Sequence, residues 1–95
     1  MDKERLFQEK AWEWELTALI GRVVELYGEK GFTSDEIWNH SRETQIPPTY
    51  IARHIGAHLE SWKASGRLKK TGQCRLSIRN GSSTLPIFVS VRKDV

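Results

Sequence analysis

From Trp12 to Tyr27 the apolar residues of this chain recur at spacings of three and four: Trp12, Leu16, Leu19, Ile20, Val23, Leu26 and Tyr27. A period near 3.6 gathers such residues on one side of a helix that faces a core. Gly28 and Gly31 follow and end it, since glycine accepts the left-handed conformation that terminates helices. Residues 1–11, with Leu6 and Phe7 among charges, extend the helix backwards. Trp14 falls off the stripe, either as an exposed Trp resting on its own domain or as a contact for a second molecule.

Phe32-Thr33-Ser34-Asp35-Glu36 opens a second helix. Thr33 and Glu36 have capping-box spacing, and Phe32 is placed to staple onto Ile37. This helix is short, about Ser34 to His40, and presents Ile37 and Trp38. Pro47-Pro48 opens a third helix, because proline fits a first turn whose N–H groups have no partner. Ile51, Ile55, Leu59 and Trp62 form its buried stripe, and Gly66 stops it. Gly56 within it is expected to mark a close crossing with another helix.

After Gly66 the period changes to two. Arg67–Lys70 reads as a short strand, and Cys74, Leu76 and Ile78 then alternate with Arg75, Ser77 and Arg79. Asn80-Gly81-Ser82-Ser83 is a hairpin turn. On the return strand Leu85, Ile87, Val89 and Val91 alternate with Pro86, Phe88, Ser90 and Arg92. Pro86 cannot donate to a ladder, which places it near the hairpin tip or on an edge. With Leu76 and Ile78 facing the core, Arg75, Ser77 and Arg79 face solvent. The fold class expected is α+β: a three-helix bundle followed by a C-terminal antiparallel β-hairpin.

Charge sharpens this picture. Residues 67–95 hold seven Lys or Arg against one acid, whereas residues 1–66 hold eight against eleven. A basic ribbon on a mildly acidic helical body points to a polyanion as partner. The 95 residues form a single domain with room for one core, which leaves little space for a buried catalytic pocket or a small-molecule site. No run reaches the roughly 18 apolar residues that a membrane span needs. The charged start Met1-Asp2-Lys3-Glu4-Arg5 leads into no apolar signal segment, and the single Cys74 suits a reducing cytosol. The expected location is therefore cytoplasmic. No P-loop, dinucleotide fingerprint or nucleophile elbow is present, so the chain is expected to be no enzyme and to need no cofactor.

The order helix, helix, helix, hairpin resembles a winged helix-turn-helix DNA-binding domain over residues 12–92. Phe32-Thr33-Ser34-Asp35-Glu36-Ile37-Trp38, then Ile55-Gly56-Ala57-His58-Leu59 and Ser65-Gly66-Arg67-Leu68, are similar to small winged-helix proteins of phages and phage-derived genes. The resemblance implies one winged-helix domain over 1–95, with 1–11 as a helical extension and 67–92 as strand plus wing. It also implies that helix three enters the major groove while the wing contacts the backbone or the minor groove.

The candidate DNA-binding residues follow. On helix three they are Thr49, Tyr50, Arg53 and His54, on the face away from the buried stripe, with Ala57 and His58 beside them. Arg53 can read a guanine edge or hold a phosphate. On the strands and wing they are Arg67, Lys69, Lys70, Arg75, Arg79, Asn80, Ser82 and Ser83, the residue types that commonly contact phosphate. Helix three is only weakly basic and carries Glu60, so backbone- or shape-led binding through the wing competes with base readout.

His54 and His58 have the spacing of two metal ligands, but His40 and Cys74 are not brought near them by any motif, so no metal is expected. Cys74 shares a face with Leu76 and Ile78 and reads as a half-buried structural thiol. Gln73-Cys74-Arg75-Leu76 lacks the Pro-Cys-His-Arg motif of the winged-helix DNA alkyltransferases. The expected function is non-enzymatic binding of double-stranded DNA, as a transcription regulator or a replication or recombination accessory. The alternative is a protein-interaction winged helix within a larger nucleic-acid-processing complex. Leu6, Phe7 and Trp14 on the N-terminal helix offer a surface for a protein partner or a homodimer.

Overall fold

The computed structural model describes residues 3–78, 81 and 83–91, with residues 3–6 described by their backbone alone. Three helices, α1 (Lys3–Tyr27), α2 (Ser34–Ser41) and α3 (Pro48–Ala64), precede two strands, β1 (Leu68–Leu76) and β2 (Thr84–Ser90). The strands pair antiparallel, so the layout is the α+β arrangement expected: three helices and then a hairpin.

The helical period of the first segment does what it predicts. Leu16, Leu19, Ile20 and Val23 of α1 are buried, and they meet Ile37 of α2 and Ile51 and Leu59 of α3 in one cluster. Ile55 and Trp62 of α3 and Trp12 and Tyr27 of α1 pack around its margin. Leu26 departs from the expected stripe and is exposed. Ile46, in the loop before the two prolines, joins the core instead.

The capping box of α2 is complete. The Thr33 side chain accepts from the Asp35 N–H, and the Glu36 carboxylate accepts from the Thr33 N–H at 2.7 Å. Phe32 and Ile37 both lie in the core, as the staple requires. Phe32 does more than the staple. Its N–H donates to the Phe88 carbonyl at 2.9 Å and its carbonyl accepts from the Phe88 N–H at 2.7 Å, adding a one-residue third row to the hairpin. The two rings stack with centroids 6.0 Å apart. Phe88 is thus the buried anchor of β2, while Leu85, Ile87 and Val89 are only half-buried.

The turn after α1 is set by close approach. A Cβ on Gly28 would collide with the Val24 carbonyl and with Ser90, whose N–H donates to the Gly28 carbonyl at 2.9 Å. Gly31 has a φ of 103°, and a Cβ there would lie 2.8 Å from the Ile87 side chain.

Three expectations change. Arg67–Lys70 is no separate strand: β1 runs on to Leu76 across an irregularity between Lys70 and Cys74 that contains Gly72 at a φ of 84°. Gly56 marks no helix crossing, since nothing lies within 4 Å of where its Cβ would be. The alternation near the hairpin tip is reversed: Leu76 and Ile78 are exposed and Ser77 is buried. Alternation predicts burial only where a core lies behind the strand. The core ends near Leu68 and Phe88, so Leu76 and Ile78 have no apolar partner beyond it. Cys74, expected to share their buried face, is exposed for the same reason.

Candidate nucleic-acid interface

The α3 helix divides into three faces. Ile51 and Leu59 point into the core, with Ile55 and Trp62 beside them. Tyr50, His54 and His58 turn toward the N-terminal half of α1. The third face is open: Thr49, Ala52, Arg53, Gly56, Ala57, Glu60, Ser61 and Ala64 are exposed. Of these only Arg53 and Glu60 have long side chains.

The face toward α1 was legible only in part. The Tyr50 hydroxyl donates to the Glu9 carbonyl at 3.3 Å, and its ring meets Trp12 edge-on with centroids 5.4 Å apart. His54 lies against the same ring at 4.2 Å. With Phe7, Glu13 and His58 they line a groove of about 540 Å³. Burial, with the Glu13 and Glu9 carboxylates adding to it, pushes the Tyr50 phenol up. Burial holds His58 below the ordinary histidine value, with His54 acting in the same sense and Glu13 against it. Of the four α3 candidates, Thr49 and Arg53 therefore stand on the open face, whereas Tyr50 and His54 are engaged with α1.

The basic residues of β1 have varied surroundings. Lys69 is exposed, and it is the one described Lys or Arg of this strand without a salt bridge among the described residues. The Lys70 ammonium lies 3.8 Å from Glu60 of α3, which also takes Lys63 at 3.1 Å. The hydrogen bond and charge of Lys63 hold the Glu60 carboxyl below the usual range, with Lys70 adding to the effect and slight burial opposing it. The Arg67 guanidinium sits 5.0 Å over the Trp62 ring. Arg75 is not the free wing cation that alternation implies. Its guanidinium is 3.0 Å from Glu36, whose other oxygen serves the capping box. Ser83 is half-buried and its carbonyl accepts from the Ser77 N–H at 2.9 Å. Arg79, Asn80 and Ser82 lie outside the described residues.

Asp35 is the residue that sequence reasoning missed. It is 4% exposed, and it accepts from the Ser77 hydroxyl at 3.0 Å and from the Ile78 N–H at 2.6 Å. A buried carboxylate needs such donors. Here they come from residues more than forty positions away, so no local period signals the contact. With Glu36 on Arg75, the first turn of α2 grips the end of β1 in three places.

The hairpin and α3 meet along a crevice of about 220 Å³, bordered by Gly56 and Glu60 on one side and by Lys70 and Pro86 on the other. The open face of α3 and the cationic strand thus form one continuous surface. Among the described residues no three His, Cys, Asp or Glu side chains are grouped to hold a metal, and no helix is long and apolar enough to cross a membrane. Comparison with protein-family models, curated proteins and solved structures finds no match to this chain.

Proposed function

We propose that this chain binds double-stranded DNA, with α3 in the major groove and the hairpin along the backbone. The observation that carries the reading is the open face of α3. From Thr49 to Ala57 its exposed positions are Thr, Ala, Gly or Ala, apart from Arg53. A helix with its side chains is about 10–12 Å across, close to the roughly 12 Å width of the major groove. Small residues let such a helix sit deep, and Arg53 then reaches a base edge or a phosphate. Lys69, Lys70 and Arg67 supply backbone contacts beside it. Regulator and replication or recombination accessory are both compatible with such a module.

Fluorescence anisotropy on duplex DNA at two salt concentrations tests the reading. Binding is expected at low salt and falls steeply as salt rises, through counterion release. Arg53→Glu and Lys69→Glu are each expected to weaken it at least tenfold, and Arg5→Glu, which belongs neither to α3 nor to the hairpin, by less than twofold. No binding at low salt, or equal losses from all three, removes the proposal.

One observation favours a second reading, a protein-binding module. Lys70 and Arg75 are paired with Glu60 and Glu36, which lowers the positive charge that the hairpin presents. On that reading α3 accepts a partner whose capture survives high salt.

A further inference from the structure

Phe7 and Trp14 are 82% and 78% exposed on α1, which is unusual for side chains of this size. Ala11 and Ala18, also exposed, alternate with them along the same side of the helix. Two depressions accompany the alanines. One, of about 240 Å³, is bordered by Phe7, Lys10, Ala11 and Trp14. The other, of about 180 Å³, surrounds Ala18 with Glu15, Arg22, Glu43 and Thr44.

The spacings match. Phe7 to Trp14 and Ala11 to Ala18 are both seven residues, about 10.5 Å along a helix. We propose that the chain pairs with a second copy of itself through this face, antiparallel, each copy seating Trp14 over Ala11 and Phe7 over Ala18 of the other. Running the helices in opposite directions is what brings large against small at every layer. A parallel pairing would set ring against ring and alanine against alanine, leaving voids between clashes. The flanking positions also agree with the antiparallel form. Gln8 falls opposite Glu15, and Lys10 opposite Thr17, so no like charges meet.

The buried area sets the strength. Each aromatic ring brings about 150–250 Å², so four rings supply roughly 600–1,000 Å². With the flanking side chains the interface stays near the lower end of specific contacts, which makes a weak, concentration-dependent dimer. The proposal is independent of DNA binding, because its residues belong to α1 and none of them is part of the open face of α3.

Sedimentation velocity of the full chain tests it. The mass is expected to rise from 11.0 kDa toward twice that value as concentration goes from about 1 to about 300 μM, the range of a weak interface. Trp14→Glu is expected to remain monomeric throughout with an unchanged circular dichroism spectrum. Orientation is tested by disulfide trapping in a Cys74→Ser background. An equimolar mixture of differently tagged Phe7→Cys and Ala18→Cys chains is expected to give mixed disulfide well beyond the roughly twofold excess over either homodimer that random pairing produces. A monomer at about 300 μM, a dimer that survives Trp14→Glu, or a mixed product no more than about twice either homodimer overturns the proposal.

Discussion

Replacing Asp35 by Ala is the sharpest test of how the hairpin is held. Asp35 is buried at the start of α2, and both of its carboxylate oxygens are used, one by the Ser77 hydroxyl and one by the Ile78 N–H. Hydrogen bonds to a charged group contribute about 1.5–3 kcal/mol each. Two give roughly 3–6 kcal/mol, but Ile78 is at the surface and water can take over its N–H, which trims the loss to about 2–4 kcal/mol. Asp35→Asn is milder. The Asn oxygen serves Ile78 while its amide donates to the Ser77 hydroxyl, which can accept as well as donate. A loss of about 1 kcal/mol is expected there, since the charge assistance alone is removed. Urea denaturation measures the global effect, and amide exchange at Ile78 the local one. Asp35→Ala should expose that amide while leaving the amides of α1 ranked as before. An Asp35→Ala protein within about 1 kcal/mol of wild type, with Ile78 exchange unchanged, refutes the account of the clamp.

Three further outcomes are expected. Phe88→Ala removes a ring buried against Phe32 and should cost about 3–5 kcal/mol in urea denaturation, as a large core truncation does. Gly31→Ala forces a Cβ onto a φ of 103° and against Ile87, so a fall in thermal midpoint of several degrees, about 1–3 kcal/mol, is expected. His58 is held below its ordinary value in the native state, so the unfolded chain takes up the proton first. Stability tied to this group is present above pH of about 6.5 and is lost as pH falls through that value toward the lower native one. His58→Gln should flatten that part of a denaturation series between pH 7 and 5, and an unchanged series refutes the assignment.

Much of the fold was readable because periodicity reports burial. Leu16, Ile20 and Val23, and then Ile51 and Leu59, sit where a 3.6 period puts them. Thr33 and Glu36 form the expected cap because capping is settled within one turn. The hairpin failed at its tip for the complementary reason. Leu76 and Ile78 alternate correctly but stand beyond the core, and Ser77 is buried by a carboxylate that is distant in sequence. The candidate interface shows the same division. Arg53 and Thr49 stay on the open face of α3, as helix geometry alone dictates. Tyr50 and His54 instead meet α1, because that helix extends back far enough to cover them. Arg75 was assigned to solvent by strand parity, while its partner Glu36 lies in another element.

The bridge between Phe32 and Phe88 ties the order of synthesis to the order of folding. Half of the central ring pair emerges from the ribosome only after the three helices have been made. Until then Phe32 has neither the ring it stacks on nor the two backbone partners that hold it. The bridge joins two residues far apart in sequence, a non-local pairing of the kind that lowers folding rates.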